Sequence, residues 1–245
     1  MKVEVFTFCW NEMEIIPFAV DYWREYATKV TVFDNGSTDG SADYLKKFDF
    51  IDVVPFDMGG GMDDILFIEK KNNCWKGSDA DYVIVCDMDE MVYAPHIKKS
   101  LCTMKRNGIT ICEPIQYTMI SDRYPEYIEG LLMHETSRRY FKSQSKAVLF
   151  DPKEIKEMNY TPGAHTCKPV GNVVWGNEGV YMLHVDHNLS LEYKLEKYKK
   201  LDARRSKRNV EMKLGIHYAF DEKTITDWYN ERMNESVDIN DVWER

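Results

Sequence analysis

Tyr82-Val83-Ile84-Val85-Cys86-Asp87-Met88-Asp89-Glu90 is the stretch on which the reading of this chain turns. Its apolar run reads as a core strand, and the run ends abruptly in acid. Alternation along the strand puts Asp87 and Asp89 on one face, about 6–7 Å apart along its axis. Two carboxylates at a strand's end suit a hard divalent cation that also holds a phosphate. Mg²⁺ takes one or two carboxylates, several waters and the substrate's phosphate oxygens. An acidic turn after a core strand explains the same residues without a cation, and this stretch alone does not separate the two.

Two earlier segments repeat the pattern. Lys29-Val30-Thr31-Val32-Phe33 runs into Asp34-Asn35-Gly36-Ser37-Thr38-Asp39-Gly40-Ser41, and Ala42 to Phe48 reads as a short helix. The glycines permit tight backbone geometry, and Asp39 or Ser41 can cap that helix. Val3 to Phe8 alternates as a strand, meets Cys9-Trp10-Asn11-Glu12, and gives way to a helix over Met13 to Ala27 with Pro17 early in it. Ligands of open α/β sheets sit outside the carboxyl ends of the strands. Three polar turns at successive strand ends are more than capping requires.

Asn11-Glu12 with Ile16-Pro17, then Asp34 to Ser41, then Asp87-Met88-Asp89-Glu90, in that order, resemble a family 2 type glycosyltransferase of the GT-A fold. The resemblance covers about the first hundred residues. Asn72-Asn73, Trp75, Gly163-Ala164-His165 and His184 resemble one branch of that family more loosely. The resemblance implies an α/β nucleotide-diphospho-sugar transferase fold, its central sheet mostly parallel and flanked by helices, with a C-terminal helical extension. It implies that Asn11 and Glu12 line the nucleotide end and that Asp34 contacts the uracil or ribose of a nucleotide diphosphate sugar. Asp87 then lies near ribose and metal, Asp89 is the principal ligand of Mn²⁺ or Mg²⁺, and a late His completes the metal shell. His184 is the choice for that role and His165 its competitor. UDP-sugars are the usual donors of this type; dTDP- or GDP-sugars would leave the same motifs.

Glycosyl transfer builds negative charge on a departing diphosphate, which a bound cation stabilises as a Lewis acid. Inversion at the anomeric carbon also requires a carboxylate to accept the acceptor's proton. No clean match to such a motif follows the Asp-x-Asp. Asp151, Glu178, Asp186, Asp122 and Glu113 are all open as bases, with Glu178 favoured by its polar loop Trp175-Gly176-Asn177-Glu178-Gly179.

Composition fits a soluble enzyme. The 245 residues are 44% hydrophobic and 13% aromatic, enough for one sizeable α/β core. With 32 basic against 41 acidic residues the net charge is −9, which argues against general nucleic-acid binding. No run of about 18 apolar residues and no signal-like start is found. The six cysteines lack C-x-x-C spacing and read as thiols of a reducing cytosol.

Asn107-Gly108 leads into a strand over Ile109 to Ile115 after a helix from Ile97 to Lys105. Phe56 to Gly61 reads as a loop flanking the donor site, without P-loop spacing. On the helix that follows, Asp64 and Lys71 can face the nucleotide. Between Tyr117 and Gly179, Arg138 to Phe141 and Lys146 to Phe150 are short strand candidates. Tyr117, Tyr124, Tyr127, Tyr140, Tyr160 and Trp175 can stack on a sugar, and Arg138, Arg139 or Lys146 can balance a diphosphate or an acidic acceptor.

Leu189 to Glu211 reads as one long helix opened by Ser190, apolar through Leu191, Leu195, Tyr198 and Leu201 and basic on its other face. A solvated face, a membrane-surface contact through the 191–208 basic helix, and a cation reaching the donor diphosphate are its three readings. The expectation is one domain over 1–245: a nucleotide-sugar-binding half (1–115), an acceptor-side half (116–188) and a helical extension (189–245). The expected activity is metal-dependent transfer to a glycan, lipid-linked or other cell-envelope acceptor, in the cytoplasm or at the inner face of the membrane. A nucleotidyltransferase, which would want a Gly-rich, Lys/Arg-containing loop where Cys9 to Glu12 stands, and a catalytically silent sugar- or nucleotide-binding module are the alternatives.

Overall fold

The computed structural model describes residues 1–120, 139–185 and 190–238. Asp122, Tyr124, Tyr127, Arg138 and Asp186, and the side chains of Arg139 and Tyr140, lie outside the described residues.

The chain opens with β1 (Val3–Cys9), α1 (Ile16–Trp23), β2 (Lys29–Asp34), α2 (Ser41–Leu45), β3 (Ile51–Pro55), α3 (Asp64–Asn73) and β4 (Tyr82–Asp87). There follow β5 (Glu90–Tyr93), α4 (Ile97–Arg106), β6 (Ile111–Cys112), β7 (Ile115–Ile120), β8 (Arg139–Lys142) and β9 (Leu149–Phe150). The remainder is β10 (Ile155–Glu157), β11 (Val170–Gly171), β12 (Tyr181–His184), α5 (Leu191–Ala203), α6 (Lys207–Glu211), α7 (Glu222–Glu235) and β13 (Val237–Asp238). The α/β class with a mainly parallel central sheet is the one the motifs imply.

The central sheet has the order β3-β2-β1-β4-β9-β6. Its first four strands are parallel, while β9 runs antiparallel to both β4 and β6. Every residue of β1 is buried, as a strand covered on both faces must be. Val3 and Val5 pack with Trp23, Leu101 and Met104 on one side, and Phe6 and Phe8 pack with Trp75, Val83 and Phe150 on the other. From β1 the chain steps outward through β2 to β3, then returns past β1 to β4. The direction therefore reverses between β1 and β4, and the crevice outside their carboxyl ends is where an open α/β sheet binds its ligand.

A second sheet has the order β13-β8-β7-β12-β5. The Asp-x-Asp turn is the joint between the sheets, because β4 ends at Asp87 and β5 begins at Glu90. Asp89 thus occupies a corner rather than the next position on a continuing strand. The single strand expected over Ile109 to Ile115 is two strands in different sheets, split at Glu113-Pro114, where the proline has no N–H to give a ladder.

Two helix expectations also change. The first helix begins at Ile16, not Met13, and Pro17 sits in its first turn, where a missing N–H costs nothing. The long basic helix is two, α5 and α6, broken at Arg204 to Ser206. There the Met62 N–H donates to the Arg204 carbonyl (2.7 Å) and the Ser206 N–H to the Met62 carbonyl (2.8 Å). Ser206 then caps α6 by accepting from the Asn209 N–H. The clamp needs Gly61, since a Cβ there would stand 2.7 Å from the Arg204 carbonyl oxygen.

Candidate active site

The turns after β1 and β2 are sewn together. The Asn11 N–H donates to Ser37 Oγ (2.9 Å), the Thr38 N–H to Asn11 Oδ1 (2.7 Å), the Glu12 N–H to Ser41 Oγ (3.2 Å) and the Met13 N–H to Asp39 Oδ2 (2.9 Å). Asp39 serves both the seam and α2, since its Oδ1 accepts from the N–H of Ser41 (3.0 Å), the first residue of that helix, while the N-cap position itself is Gly40. Asn11 takes a left-handed backbone (φ +54°) to make the seam. The Asp34 carboxylate accepts from the Ser37 N–H (3.2 Å) and closes its own turn.

Beside this seam, at the reversal point of the sheet, lies a cavity of about 810 Å³. That volume suits a small-molecule ligand. Glu12, Asp64, Asp87 and Asp89 line its sheet side with Lys71, Lys146, His165 and His184, and residues of α5 to α7 close it from the other. Asn11 and Asp34 are not among its lining residues, although Trp10 and Asn35 beside them are. Trp10 carries the Arg204 guanidinium 3.6 Å above its ring, a cation–π contact that closes the extension over this wall.

Asp87 is the most heavily engaged carboxylate. Its Oδ1 lies 2.8 Å from Lys71 Nζ and its Oδ2 3.4 Å from Lys146 Nζ. Lys146 also reaches Glu90 Oε1 at 2.6 Å, and Glu90 Oε2 accepts from the Asp87 N–H at 3.1 Å. Lys71, Glu90 and Lys146 are 2%, 1% and 6% exposed, while the Asp87 side chain keeps 28% of its surface toward the cavity, so this charge-balanced quartet runs from the interior to the cavity wall. Burial alone would raise the Asp87 carboxyl, but the two ammonium groups outweigh it and hold it well below the usual carboxylate range. Expected as a metal ligand, Asp87 stands against two lysines, and its buried Oδ1, although 2.8 Å from Lys71 Nζ, has no hydrogen-bond partner among the described residues.

Asp89 and His184 do converge. His184 ends β12 in register with Glu90, which brings its Nε2 to 3.5 Å from Asp89 Oδ2. Its Nδ1 lies 3.2 Å from Gln116 Nε2, while the buried Gln116 Oε1 has no hydrogen-bond partner. Turning that amide by half a revolution presents the orphaned oxygen to an Nδ1–H and frees the Nε2 lone pair toward Asp89. A metal-bound imidazole wants that second partner. Among the described residues no group of three or more His, Cys, Asp or Glu side chains could hold a metal. One carboxylate and one imidazole still fit a divalent cation whose remaining ligands are phosphate oxygens and water. Asp89 and His184 fit that set, and Asp87 stands beside them against two lysines.

Glu12 pairs with Lys197 of α5 at 3.2 Å. Burial pushes the Glu12 carboxyl up to about 7, against the pull of Lys197. Burial would lower Lys197, but Glu12 and Asp89 hold it up. Glu12 titrates near 4.5 when unperturbed, so between that pH and about 7 the native state binds more protons and stability falls as pH rises. Relative to Glu12→Gln, the parent protein should lose ~3 kcal/mol at most from pH 5 to 8. Urea denaturation of both proteins at both pH values measures this, and parallel profiles would contradict it.

Asp64 is raised by burial, and its backbone N–H donates to Asn209 Oδ1 at 2.9 Å. Gly163 and Ala164, both left-handed (φ +83° and +56°), turn His165 into the cavity wall. Burial lowers His165, and Lys146 adds to that. Asn72 holds the loop behind it through paired bonds with the Tyr160 backbone (2.8 and 3.2 Å).

Glu178 is not brought to the site. It precedes β12 at the end away from His184, where it accepts from Asn107 Nδ2 (2.9 Å), and it does not line the cavity. Asp151, paired with Lys105, and Glu113 are outside the cavity as well. Tyr160 is a core residue whose hydroxyl donates to the Ala147 carbonyl, and Trp175 lies outside the cavity. Of the long basic stretch, Lys194 is fully buried, and Lys197 and Arg204 face the cavity. The basic face is therefore not one solvated stripe. The sequence hides the part of two lysines: Lys71 reads as facing the nucleotide and Lys146 as balancing a diphosphate or an acidic acceptor, and the fold makes both partners of Asp87.

No family model matches the sequence, and no curated protein matches it either. Solved structures of S. aureus TarS are similar to this chain. TarS itself matches with a TM-score of 0.46 and 12% identity over 96% of this chain and 43% of that one. Its residues 1–349 in complex with UDP-GlcNAc match with a TM-score of 0.43 and 11% identity over 96% and 72%. The same portion in complex with UDP matches with a TM-score of 0.40 and 16% identity over 51% and 38%. The chain thus spans less than half of two of these three structures. No helix among the described residues is long and apolar enough to cross a membrane.

Proposed function

We propose that the chain transfers a glycosyl group from a nucleotide diphosphate sugar, UDP-linked by the motif resemblance, to a hydroxyl of a glycan, lipid-linked or other cell-envelope acceptor. The observation that carries this is the meeting of Asp89 with His184 in a cavity at the reversal point of the parallel sheet. Glu12 and Asp64 stand on the donor wall, with the sewn Asn11 and Asp34 turns behind them. Asp89 and His184 would hold Mn²⁺ or Mg²⁺ together with the donor's phosphates, with Gln116 orienting His184. A divalent cation there supplies Lewis-acid stabilisation of the departing diphosphate. Asp87 keeps the corner in place through Lys71 and Lys146, so that Asp89 meets the ligand at a fixed distance. Glu178 has no part in this scheme.

Thermal-shift titration with UDP, GDP, dTDP and CMP, each with and without Mn²⁺, tests it. A ligand at 100 times its Kd adds about 2.7 kcal/mol to the native state, or roughly 5–10 °C for a chain of this size. The expected result is a Mn²⁺-dependent rise with UDP. A melting temperature unmoved by all four nucleotides would leave the silent-module alternative standing.

A further inference from the structure

The α3 helix lines the cavity along one stripe. Asp64, Phe67, Ile68 and Lys71 all face it, at the i, i+3, i+4, i+7 spacing that places residues on one helix face. Lys71 stands at the Asp87 corner, and Asp64 is seven residues back, about 10 Å along the helix axis. Between these ends Phe67 meets Phe8 at 4.4 Å, and Phe33 and Phe56, also in the lining, meet edge-on at 6.3 Å. A diphosphate held at the Asp89 corner would lay its nucleoside along this aromatic stretch and bring it to Asp64.

The helical extension holds Asp64 in place. Asp63, 5% exposed, caps α3 through Oδ1, which accepts from the Ile65 and Leu66 N–H groups (both 3.1 Å), and its Oδ2 accepts from Ser206 Oγ (3.1 Å). Ser206 Oγ in turn accepts from the Asn209 N–H (3.1 Å) and so fixes the first turn of α6 against α3. Asn209 is fully buried, and its Oδ1 accepts from the Asp64 N–H. Its Nδ2 is buried as well and has no hydrogen-bond partner among the described residues. That amide lies against the Asp64 carboxyl, which burial raises and Asn209 pulls back down. An orphaned polar group costs about 1–3 kcal/mol. Two other such atoms, Asp87 Oδ1 and Gln116 Oε1, belong to the metal corner. Asn209 stands away from that corner, behind the carboxylate that Asp64 shows to the cavity.

We propose that Asn209 is a positioning residue of the donor site: from α6 it fixes the Asp64 carboxylate as the acceptor for a hydrogen-bond donor of the nucleoside, a ring N–H or a ribose hydroxyl. This rests on the transferase reading above. It gives the break between α5 and α6 a use, because the clamp of Met62 on Arg204 and Ser206 brings Asn209 to Asp64. An ionised carboxylate accepts and cannot donate, so the nucleoside must offer N–H or O–H at that place.

Isothermal titration of the full chain with UDP and with inorganic pyrophosphate, each with Mn²⁺, tests this, because pyrophosphate can occupy the metal corner and lacks the nucleoside. In Asp64→Ala the UDP Kd should rise at least ten-fold, and in Asn209→Ala at least five-fold, with pyrophosphate affinity within two-fold of the parent in both. The double variant should bind UDP within two-fold of Asp64→Ala, since Asn209 acts through Asp64. Asn209→Asp serves if Asn209→Ala fails to fold: it keeps an acceptor for the Asp64 N–H, and an acid suits the first turn of a helix. Its carboxylate opposes that of Asp64 and should cost UDP the same five-fold. A smaller loss of UDP affinity in the Asn209 variants overturns the proposal. So does an equal loss of pyrophosphate and UDP, the mark of a merely structural role, and so do losses that multiply in the double variant. Failure of the parent to bind UDP or pyrophosphate overturns the transferase reading and this inference with it; both ligands bound, with UDP affinity unmoved by the Asn209 variants, overturns this inference alone.

Discussion

Asp89→Ala should leave a folded protein that no longer gains stability from UDP with Mn²⁺ and transfers sugar about 10³-fold more slowly or worse. The side chain sits in the turn between the two sheets, and that turn keeps its other ties without it: the Val185 N–H donates to the Asp89 carbonyl at 2.8 Å, a bond that alanine keeps, and Glu90 Oε2 accepts from the Asp87 N–H. The cost to folding is therefore small. The cost to function is not, because the carboxylate is one of the two side chains, with His184, proposed to hold the cation. Stabilisation of a leaving group by such a cation is worth several kcal/mol, and each 1.36 kcal/mol is tenfold in rate. His184→Ala should weaken Mn²⁺-dependent UDP binding less, since the carboxylate and the phosphates remain. Turnover in Asp89→Ala within tenfold of the parent would remove Asp89 from the reaction.

Lys146→Met should cost stability rather than chemistry first. Its ammonium neutralises Glu90, 1% exposed, and shares Asp87 with Lys71. Removing one partner of a buried ion pair leaves the other charge without solvent, a loss of about 3–5 kcal/mol. For a chain of this length that is roughly 10 °C in melting temperature. Lys146→Met with Glu90→Gln should recover part of it, because the orphaned charge goes with its partner. Urea denaturation of the single and double variants measures both. A loss under 1 kcal/mol in the single variant would mean that the quartet is solvated and does not fix the corner.

Much of the architecture is visible in local pattern. Val3 to Cys9, Lys29 to Asp34 and Tyr82 to Asp87 are apolar runs with polar ends, and each is a parallel strand ending toward the cavity. The Asp-x-Asp is legible as well, because two acids closing a core strand are unusual locally. Where pattern misleads, a long-range contact has overruled it. The 189–211 stretch has helical periodicity throughout, but pairing of Arg204 and Ser206 with Met62 costs it a turn. Ile109 to Ile115 is apolar enough for one strand, but Pro114 marks where the chain changes sheets.

The site is legible in part for the same reason. Glu12 and Asp89 announce themselves at strand ends. The Asp87 ion pairs do not, because a lysine in sequence reads as solvent-facing, and Lys71 and Lys146 meet Asp87 only through the tertiary fold. Gln116 carries no signal at all; it matters because parallel pairing of β7 with β12 sets it near His184. Glu178 shows the converse. A polar loop before a strand looked suitable for a base, but β12 runs toward the site and leaves that loop at its far end.

Diffraction at the manganese absorption edge, from crystals grown with UDP and Mn²⁺, bears most directly on the Asp89–His184 site. The expected result is one strong anomalous peak between Asp89 and His184, bridged to the diphosphate, with Asp87 still held by its two lysines. A peak elsewhere, or UDP ordered outside the crevice between β1 and β4, would contradict it.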